Sequence, residues 1–252
     1  MYHFFVESEQ VTPDLKTVEI TGSDFNHIAN VLRMKPGEQF SVSIRGEDEA
    51  REIFYEISEM TRDHVLGKLC FVEEAGCELP SKIYLFQGLP KVDKMELIIQ
   101  KAVELGAYRI IPLRTRRCIV KLDDKKAQSK QKRWQAISEA AAKQSKRSII
   151  PEVALPMTMK EAIAFCKSEG IEVGLIPYEM AKDITVTRGI IDNIRPGQSI
   201  AVFIGPEGGF AEEEIAAATE NGIRPITLGK RILRTETAGF TAISWLMYHL
   251  EG

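Results

Sequence analysis

The sequence is poor in the residues that staple a fold together. It holds four cysteines and four histidines in 252 residues. Cys70, Cys77, Cys118 and Cys166 form no Cys-x-x-Cys pair, and no signal-peptide pattern opens the chain. This usage argues against a disulfide framework and predicts single structural thiols in a reducing cytoplasm. So few histidines argue against a multi-histidine site, and no metal is expected. No apolar run is long enough to span a bilayer. No internal repeat or low-complexity tail is present. A Gly-x-x-x-x-Gly-Lys-Ser/Thr P-loop is missing, as is a Gly-x-Gly-x-x-Gly fingerprint after a first strand, so the common triphosphate and dinucleotide cradles are excluded.

What is present is material for a core and an uneven distribution of charge. Hydrophobic residues make up 44% and charged residues 27%, with a formal net charge of −3. The length suits one domain of moderate size with a small accessory domain. From Arg109 to Arg147 there are 13 Lys or Arg against three acidic residues, a net +10, whereas Met1–Glu73 holds seven basic against 14 acidic. A basic segment on an acidic protein fits a polyanion partner; a solvated helical face is the plain alternative.

Strands are expected at Tyr2–Val6, Phe40–Ile44, Ile53–Ile57 and Val65–Val72. A helix is expected over Asp24–Leu32, where Phe25, Ile28, Val31 and Leu32 recur at helical spacing. Pro36-Gly37 makes a turn, and Arg45–Glu49 a polar hairpin connection. This reads as a small, mostly β domain, a barrel of the kind that presents oligonucleotide-binding surfaces. Its acidic total confines any RNA contact to a patch. His27, Arg33 and Lys35 are candidates, with local packing as the alternative for His27. Glu73–Ser81 loses the strand pattern and marks the boundary between domains 1–73 and 74–252.

Ile83–Gln87, Lys94–Leu105 and Tyr108–Leu113 then form a β-α-β unit, whose natural product is a parallel sheet. Arg114, Arg116 and Arg117 follow that strand directly, where guanidinium forks can take phosphate. Asp123–Ala142 turns helical, with Ala136, Ile137, Ala140 and Ala141 able to face the core. Lys130, Lys132, Arg133, Lys143, Lys146 and Arg147 supply its exposed face and end. Trp134 is a core anchor or a base-stacking platform. Further on come a helix at Met157–Phe165, a strand at Glu172–Ile176 and a short helix near Ile190–Ile194. A strand at Ile200–Ile204, a helix at Ala211–Thr219 and a strand at Arg224–Leu228 follow. The closing helix, Thr235–Leu250, can pack on the sheet and on a second subunit.

Two of the late strands end in glycine-bearing turns, Gly205-Pro206-Glu207-Gly208-Gly209 and Leu228-Gly229, each followed by a helix. Ligands of open α/β sheets bind beside the C-terminal strand ends. Glu207 would repel a pyrophosphate. Compact glycine turns admit backbone contacts to an adenine and a ribose, and a nearby carboxylate favours a sulfonium. S-adenosylmethionine is compatible with that chemistry, although composition does not select it.

The run Ile204–Phe210, followed by Leu228-Gly229 and Ile232-Leu233-Arg234-Thr235-Glu236-Thr237-Ala238, closely resembles the RsmE family of 16S ribosomal RNA methyltransferases, of the SPOUT superfamily. His27 with Val31-Leu32-Arg33, Lys91–Glu96, Glu104-Leu105-Gly106 and the helix from Arg133-Trp134 through Glu139–Ser145 agree, so the likeness covers nearly the whole chain. The resemblance implies a PUA-like N-terminal β-barrel and an α/β, Rossmann-like catalytic domain with a deep trefoil knot. It implies S-adenosylmethionine as cofactor, a homodimer, and methylation of N3 of one uridine, uridine 1498 of 16S rRNA, in the small ribosomal subunit. The carry-over places Leu175, Glu179, Ile204, Gly205, Pro206, Glu207, Gly208, Gly209, Leu228, Gly229, Ile232 and Leu233 around the cofactor. Lys91, Arg114, Arg116, Arg117, Arg133, Lys143 and Arg147 would join His27, Arg33 and Lys35 in contacting RNA. Ala211 departs from a good cap, since a hydroxyl residue suits that position better.

The N3–H of uridine is weakly acidic, so attack on a methyl group requires that proton to be removed or its loss stabilised. Arg234 is the candidate for orienting the uracil or stabilising its developing negative charge. Glu236 would assist deprotonation or hold Arg234; otherwise it caps the last helix. Two other classes fit parts of the pattern. A noncatalytic RNA-binding module would use the same barrel and basic face. A metabolic α/β enzyme would share the β-α-β units, but the missing nucleotide motifs disfavour it.

Overall fold

The structure is a computed structural model that describes residues 1–46, 51–74, 76–91 and 94–252. Most of the expected hairpin connection at 45–49, and Val92 and Asp93 of the quoted stretch, lie outside the described residues. The chain divides into two units: Met1–Glu78 with Ala142–Ile150, and Leu79–Ala141 with Pro151–Gly252. The sequence placed a single division after Glu73. It offered no signal for the return of 142–150 to the first unit.

In the first unit, alternating apolar residues build one five-stranded sheet. β1 (Tyr2–Val6) pairs in parallel with β3 (Gln39–Ile44). Antiparallel pairings then join β3 to β4 (Arg51–Met60), β4 to β5 (His64–Glu74) and β5 to β2 (Thr17–Thr21). The sheet curls without closing, and β1 and β2 are its edges. Phe4, Val18, Ile20, Phe40, Val42, Ile53, Tyr55 and Val65 fill its concave core. Gly67 lies at the tightest point, where a Cβ would come within 2.9 Å of Phe40, Tyr55 and Val18. The expected helix over Asp24–Leu32 is α1 (Gly22–Asn26) running into a π-helical stretch, His27–Leu32.

The unit is completed by a buried ion pair. Arg147 Nη2 lies 2.6 Å from Glu78 Oε2, and the two side chains are 3% and 10% exposed. Glu78 also accepts from the Ser148 and Ile149 N–H groups at 3.0 and 3.2 Å.

The second unit carries an all-parallel sheet. Its path runs β12 (Ile223–Ile226), β10 (Val173–Pro177), β11 (Ile200–Ile204), β6 (Ile83–Gly88), β7 (Ala107–Arg114), β8 (Glu152–Val153), with β9 (Met157–Thr158) also on β7. Every residue of β11 and β6 is buried, as near-continuous apolar runs require of strands covered on both faces. Phe86 and Phe203 stack across them, centroids 4.4 Å apart. The helices are α2 (Lys94–Glu104), α3 (Asp124–Gln144), α4 (Met159–Ser168), α5 (Ile184–Asp192), α6 (Glu212–Glu220) and α7 (Thr235–Glu251).

Three expectations need correction. The helix expected from Met157 starts two residues later, because Thr158 is its N-cap and forms a capping box with Glu161. The short helix near Ile190–Ile194 is instead α5, begun by the Asp183 carboxylate accepting from Thr185 N–H at 2.8 Å. On α3, Ala136 and Ala140 are exposed, while Trp134, Ser138, Ala141 and Ala142 are buried. Trp134 is thus a core anchor. No described helix is long and apolar enough to cross a membrane.

Candidate active site

Because the second sheet is parallel, its strands end along one edge. Gln87 of β6 pairs with Ile204 of β11, and Pro177 of β10 with Ile226 of β12. From the neighbouring strands β12, β10 and β11 leave the loops 227–234, 178–183 and 205–211. The two glycine turns singled out in the sequence are thereby brought to the same edge. Leu175 is not part of it. It lies two residues inside β10, 1% exposed and paired with Val202 and Arg224. Its side chain belongs to the core because the strand runs on to Pro177.

Close packing explains two of these glycines, and left-handed backbone the other two. A Cβ on Gly205 would lie 3.1 Å from the Gly209 backbone. Gly209 has φ +66° and donates its N–H to the Pro206 carbonyl at 2.8 Å. Gly88, the last residue of β6, is the tightest of all: a Cβ would sit 2.5 Å from Pro206 N. Gly229 has φ +106° and is exposed, as is Ile232, at 91%. Leu228 and Leu233 are half-buried, and Glu179 is exposed.

A buried hydrogen-bond chain crosses this edge. Gln87 Nε2 donates to Thr235 Oγ1 at 2.8 Å and to the Gly88 carbonyl at 3.0 Å. Thr235 Oγ1 donates to the Gly205 carbonyl at 2.6 Å. Gln87, which anchors this chain, is not among the residues singled out in the sequence. The signal was there: one amide closing the otherwise apolar strand Ile83-Tyr84-Leu85-Phe86.

Charged groups tie the same segments together. Lys94 Nζ lies 3.4 Å from Glu207 Oε1 and 3.3 Å from Glu236 Oε2, linking the glycine turn to the first turn of α7. The Lys91 N–H donates to Glu207 at 3.1 Å. Burial opposes the charge on Glu207, but N–H groups of its own backbone and of Lys91, with the Lys94 ammonium, outweigh it and hold the carboxyl below the usual range. That carboxylate is therefore committed to Lys91 and Lys94, and a cofactor contact from this residue is left to its backbone. Arg234 occupies the N-cap position of α7 and is exposed. Ala211 lacks a capping hydroxyl, as expected, but Glu214 accepts its N–H at 2.9 Å and supplies half of a capping box.

The basic residues divide by burial. Arg117 Nη1 donates to the Gly208 carbonyl at 3.0 Å and so braces the glycine turn. Arg114 pairs with Glu161, Arg116 with Glu213, and Arg133 with Glu96. These three arginines are exposed; the pairs of Arg114 and Arg116 are exposed on both sides, and such pairs are worth about 0–1 kcal/mol, so a phosphate can replace the carboxylate at little cost. Lys91 is exposed and Lys143 half-buried. Arg147 is a correction: its guanidinium is buried against Glu78 and is no RNA contact. In the first unit, His27, Arg33 and Lys35 are all exposed on one segment. The His27 ring meets Phe4 edge-on at 6.3 Å, and Arg33 closes the π-helical stretch at φ +55°.

Residues 77–247 match the model of the RNA methyltransferase domain family, and residues 20–70 that of the RNA methyltransferase PUA domain. The chain is 36% identical to ribosomal RNA small subunit methyltransferase E of Bacillus subtilis over 100% of its own length and 98% of that protein. It belongs to the ribosomal RNA small subunit methyltransferase E family. Two solved structures share the family's fold. One, from Neisseria gonorrhoeae, is a ribosomal RNA small subunit methyltransferase E bound to S-adenosyl methionine, 30% identical with a TM-score of 0.79 over 98% of this chain and 97% of that one. The other is a methyltransferase from Legionella pneumophila in complex with the cofactor SAM, 32% identical with a TM-score of 0.78 over 98% and 96%. The architecture is thus the α/β methyltransferase fold with a PUA-type first unit that the resemblance implied.

Proposed function

We propose that this protein transfers a methyl group from S-adenosylmethionine to N3 of a uridine in 16S rRNA, uridine 1498 by family resemblance. The observation that carries the reading is the meeting of the Gly205–Gly209 turn, the Gly229 turn and the Arg234–Glu236 start of α7 at one sheet edge. The residues fit the cofactor. The Gly209 and Gly229 backbones, with nothing within 4 Å of where a Cβ would stand, allow close approach, half-buried Leu228 and Leu233 offer apolar surface, and Pro177 and Ile226 end the neighbouring strands. When bound, the cofactor supplies an electrophilic methyl on a sulfonium.

The chain's own residues do the rest. Arg234, exposed beside the turn, orients the uracil and stabilises negative charge as the N3 proton leaves. Glu236, held by Lys94, keeps one carboxylate oxygen for Arg234 or for that proton. Holding the reactants in line is the main source of rate. The target base leaves its stack to reach the edge, while Arg114, Arg116 and Arg133 take flanking phosphates. His27, Arg33 and Lys35 give the PUA-type unit its own RNA patch. The family's trefoil knot and homodimer belong to the same proposal; exposed Ile232 and Tyr248, 91% and 84%, are apolar surface a second subunit would cover.

Methyl transfer from labelled S-adenosylmethionine to small subunits and to protein-free rRNA, from cells lacking this gene, tests the reading. A single N3-methyluridine at one mapped position is expected. Absence of both transfer and cofactor binding would return the protein to a noncatalytic RNA-binding module. Arg234→Ala should lose far more turnover than cofactor affinity, and RNA binding should weaken steeply with salt.

A further inference from the structure

We propose that Gln87 and Thr235 are positioning residues for methyl transfer. Their hydrogen-bond chain fixes the Gly205 carbonyl to the first turn of α7 and so sets the glycine turn and Arg234 in one register. The inference rests on the function proposed above.

The peptide joining Gly205 to Pro206 has no N–H, because its nitrogen is proline's. Hydrogen bonding can hold that unit only through the Gly205 carbonyl. Thr235 Oγ1 takes it at 2.6 Å. Thr235 is also the first residue of α7, between Arg234 and Glu236. One hydroxyl therefore ties the turn proposed to meet the cofactor to the two side chains proposed to meet the base.

The direction of the chain is fixed by chemistry. The carbonyls of Gly88 and Gly205 can only accept. The Gln87 amide must therefore turn its NH2 toward Gly88 and Thr235, and the Thr235 proton must go to Gly205. Gln87 thereby locks the hydroxyl rotor in the orientation that holds the turn.

Gln87 bears a cost for this. It is fully buried, and its Oε1 has no hydrogen-bond partner among the described residues. A methionine of similar shape would avoid desolvating that oxygen. α7 lies directly against that oxygen: a Cβ on Gly239 would stand in ordinary contact with it, at 3.5 Å. A buried acceptor kept at a cost in stability matches a role in geometry rather than in folding.

The test compares Gln87→Met, Thr235→Val and Thr235→Ser with the wild-type protein. Steady-state methyl transfer, S-adenosylmethionine affinity by calorimetry, and amide exchange of the cofactor-free protein are measured. We expect kcat to fall at least tenfold in Gln87→Met and Thr235→Val, and to fall further than cofactor affinity. Exchange should quicken at 205–210 and 233–238, with β4 and β5 unchanged. Thr235→Ser should restore both. A kcat within threefold of wild type in Thr235→Val would overturn the proposal, as would failure of serine to rescue or faster exchange everywhere. A wild-type protein that neither binds the cofactor nor transfers methyl would instead sink the function proposed above, while the exchange pattern would still report on the tether.

Discussion

Replacing Glu78 by alanine takes from the buried Arg147 guanidinium its carboxylate and from Ser148 and Ile149 N–H their acceptor. Breaking a buried pair by removing one partner costs about 3–5 kcal/mol, since the other charge stays desolvated without this counter-charge. At about 2–4 °C per kcal/mol for a chain of this size, the calorimetric midpoint should drop by at least about 6 °C. Arg147→Ala should cost less than Glu78→Ala, because Glu78 keeps both backbone donors. Measured below its transition, Arg147→Ala should leave RNA affinity within twofold of wild type. Arg116→Ala, at a pair with Glu213 exposed on both sides, should do the reverse: weaker RNA binding and an unmoved midpoint. A shift under 2 °C in Arg147→Ala together with weakened RNA binding would refute the assignment of this arginine to the core.

Gly88→Ala pushes a methyl into the Pro206 backbone; overpacking of this kind costs about 1–3 kcal/mol, and both denaturation and S-adenosylmethionine calorimetry should record a loss. Thr158→Ala removes the N-cap of α4 and should cost about 1 kcal/mol in urea unfolding, with Thr158→Ser close to wild type. Glu207 has a folded pKa below its ordinary 4.5, so its ionisation stabilises the fold above that value and the stabilisation fades as pH falls from 4.5 through the depressed folded value. Glu207→Gln should therefore flatten the acid limb of the stability curve in that window, and parallel limbs would contradict the assignment.

Local chemistry made some elements readable and hid others. Ile200–Ile204 is apolar throughout and bounded by glycine, so its identity as a buried strand is plain. β8 and β9 are two residues each, shorter than any period. α5 was placed too late because Thr185, Thr187 and Gly189 lower its helical character, although Asp183 gave the start signal. The glycine turns were legible as turns because backbone demands leave a mark at the position itself. The contacts that organise them are not local: Gln87 meets a residue 148 positions away, and Lys94 one 142 away. Charge alone also cannot tell a surface arginine from Arg147, whose partner lies 69 positions earlier.

The first unit is not a contiguous stretch of chain, and this sets an order on its synthesis. When Glu78 is added to the growing chain, the arginine that matches it is still 69 residues from being made. At about 5–20 residues added per second that gap lasts roughly 3–14 s. During that interval the five strands are present but an unmatched carboxylate remains at their border. The N-terminal unit thus finishes only after β6, α2, β7 and α3 have emerged, and a fragment ending at Glu78 should be less stable than the same residues in the whole protein.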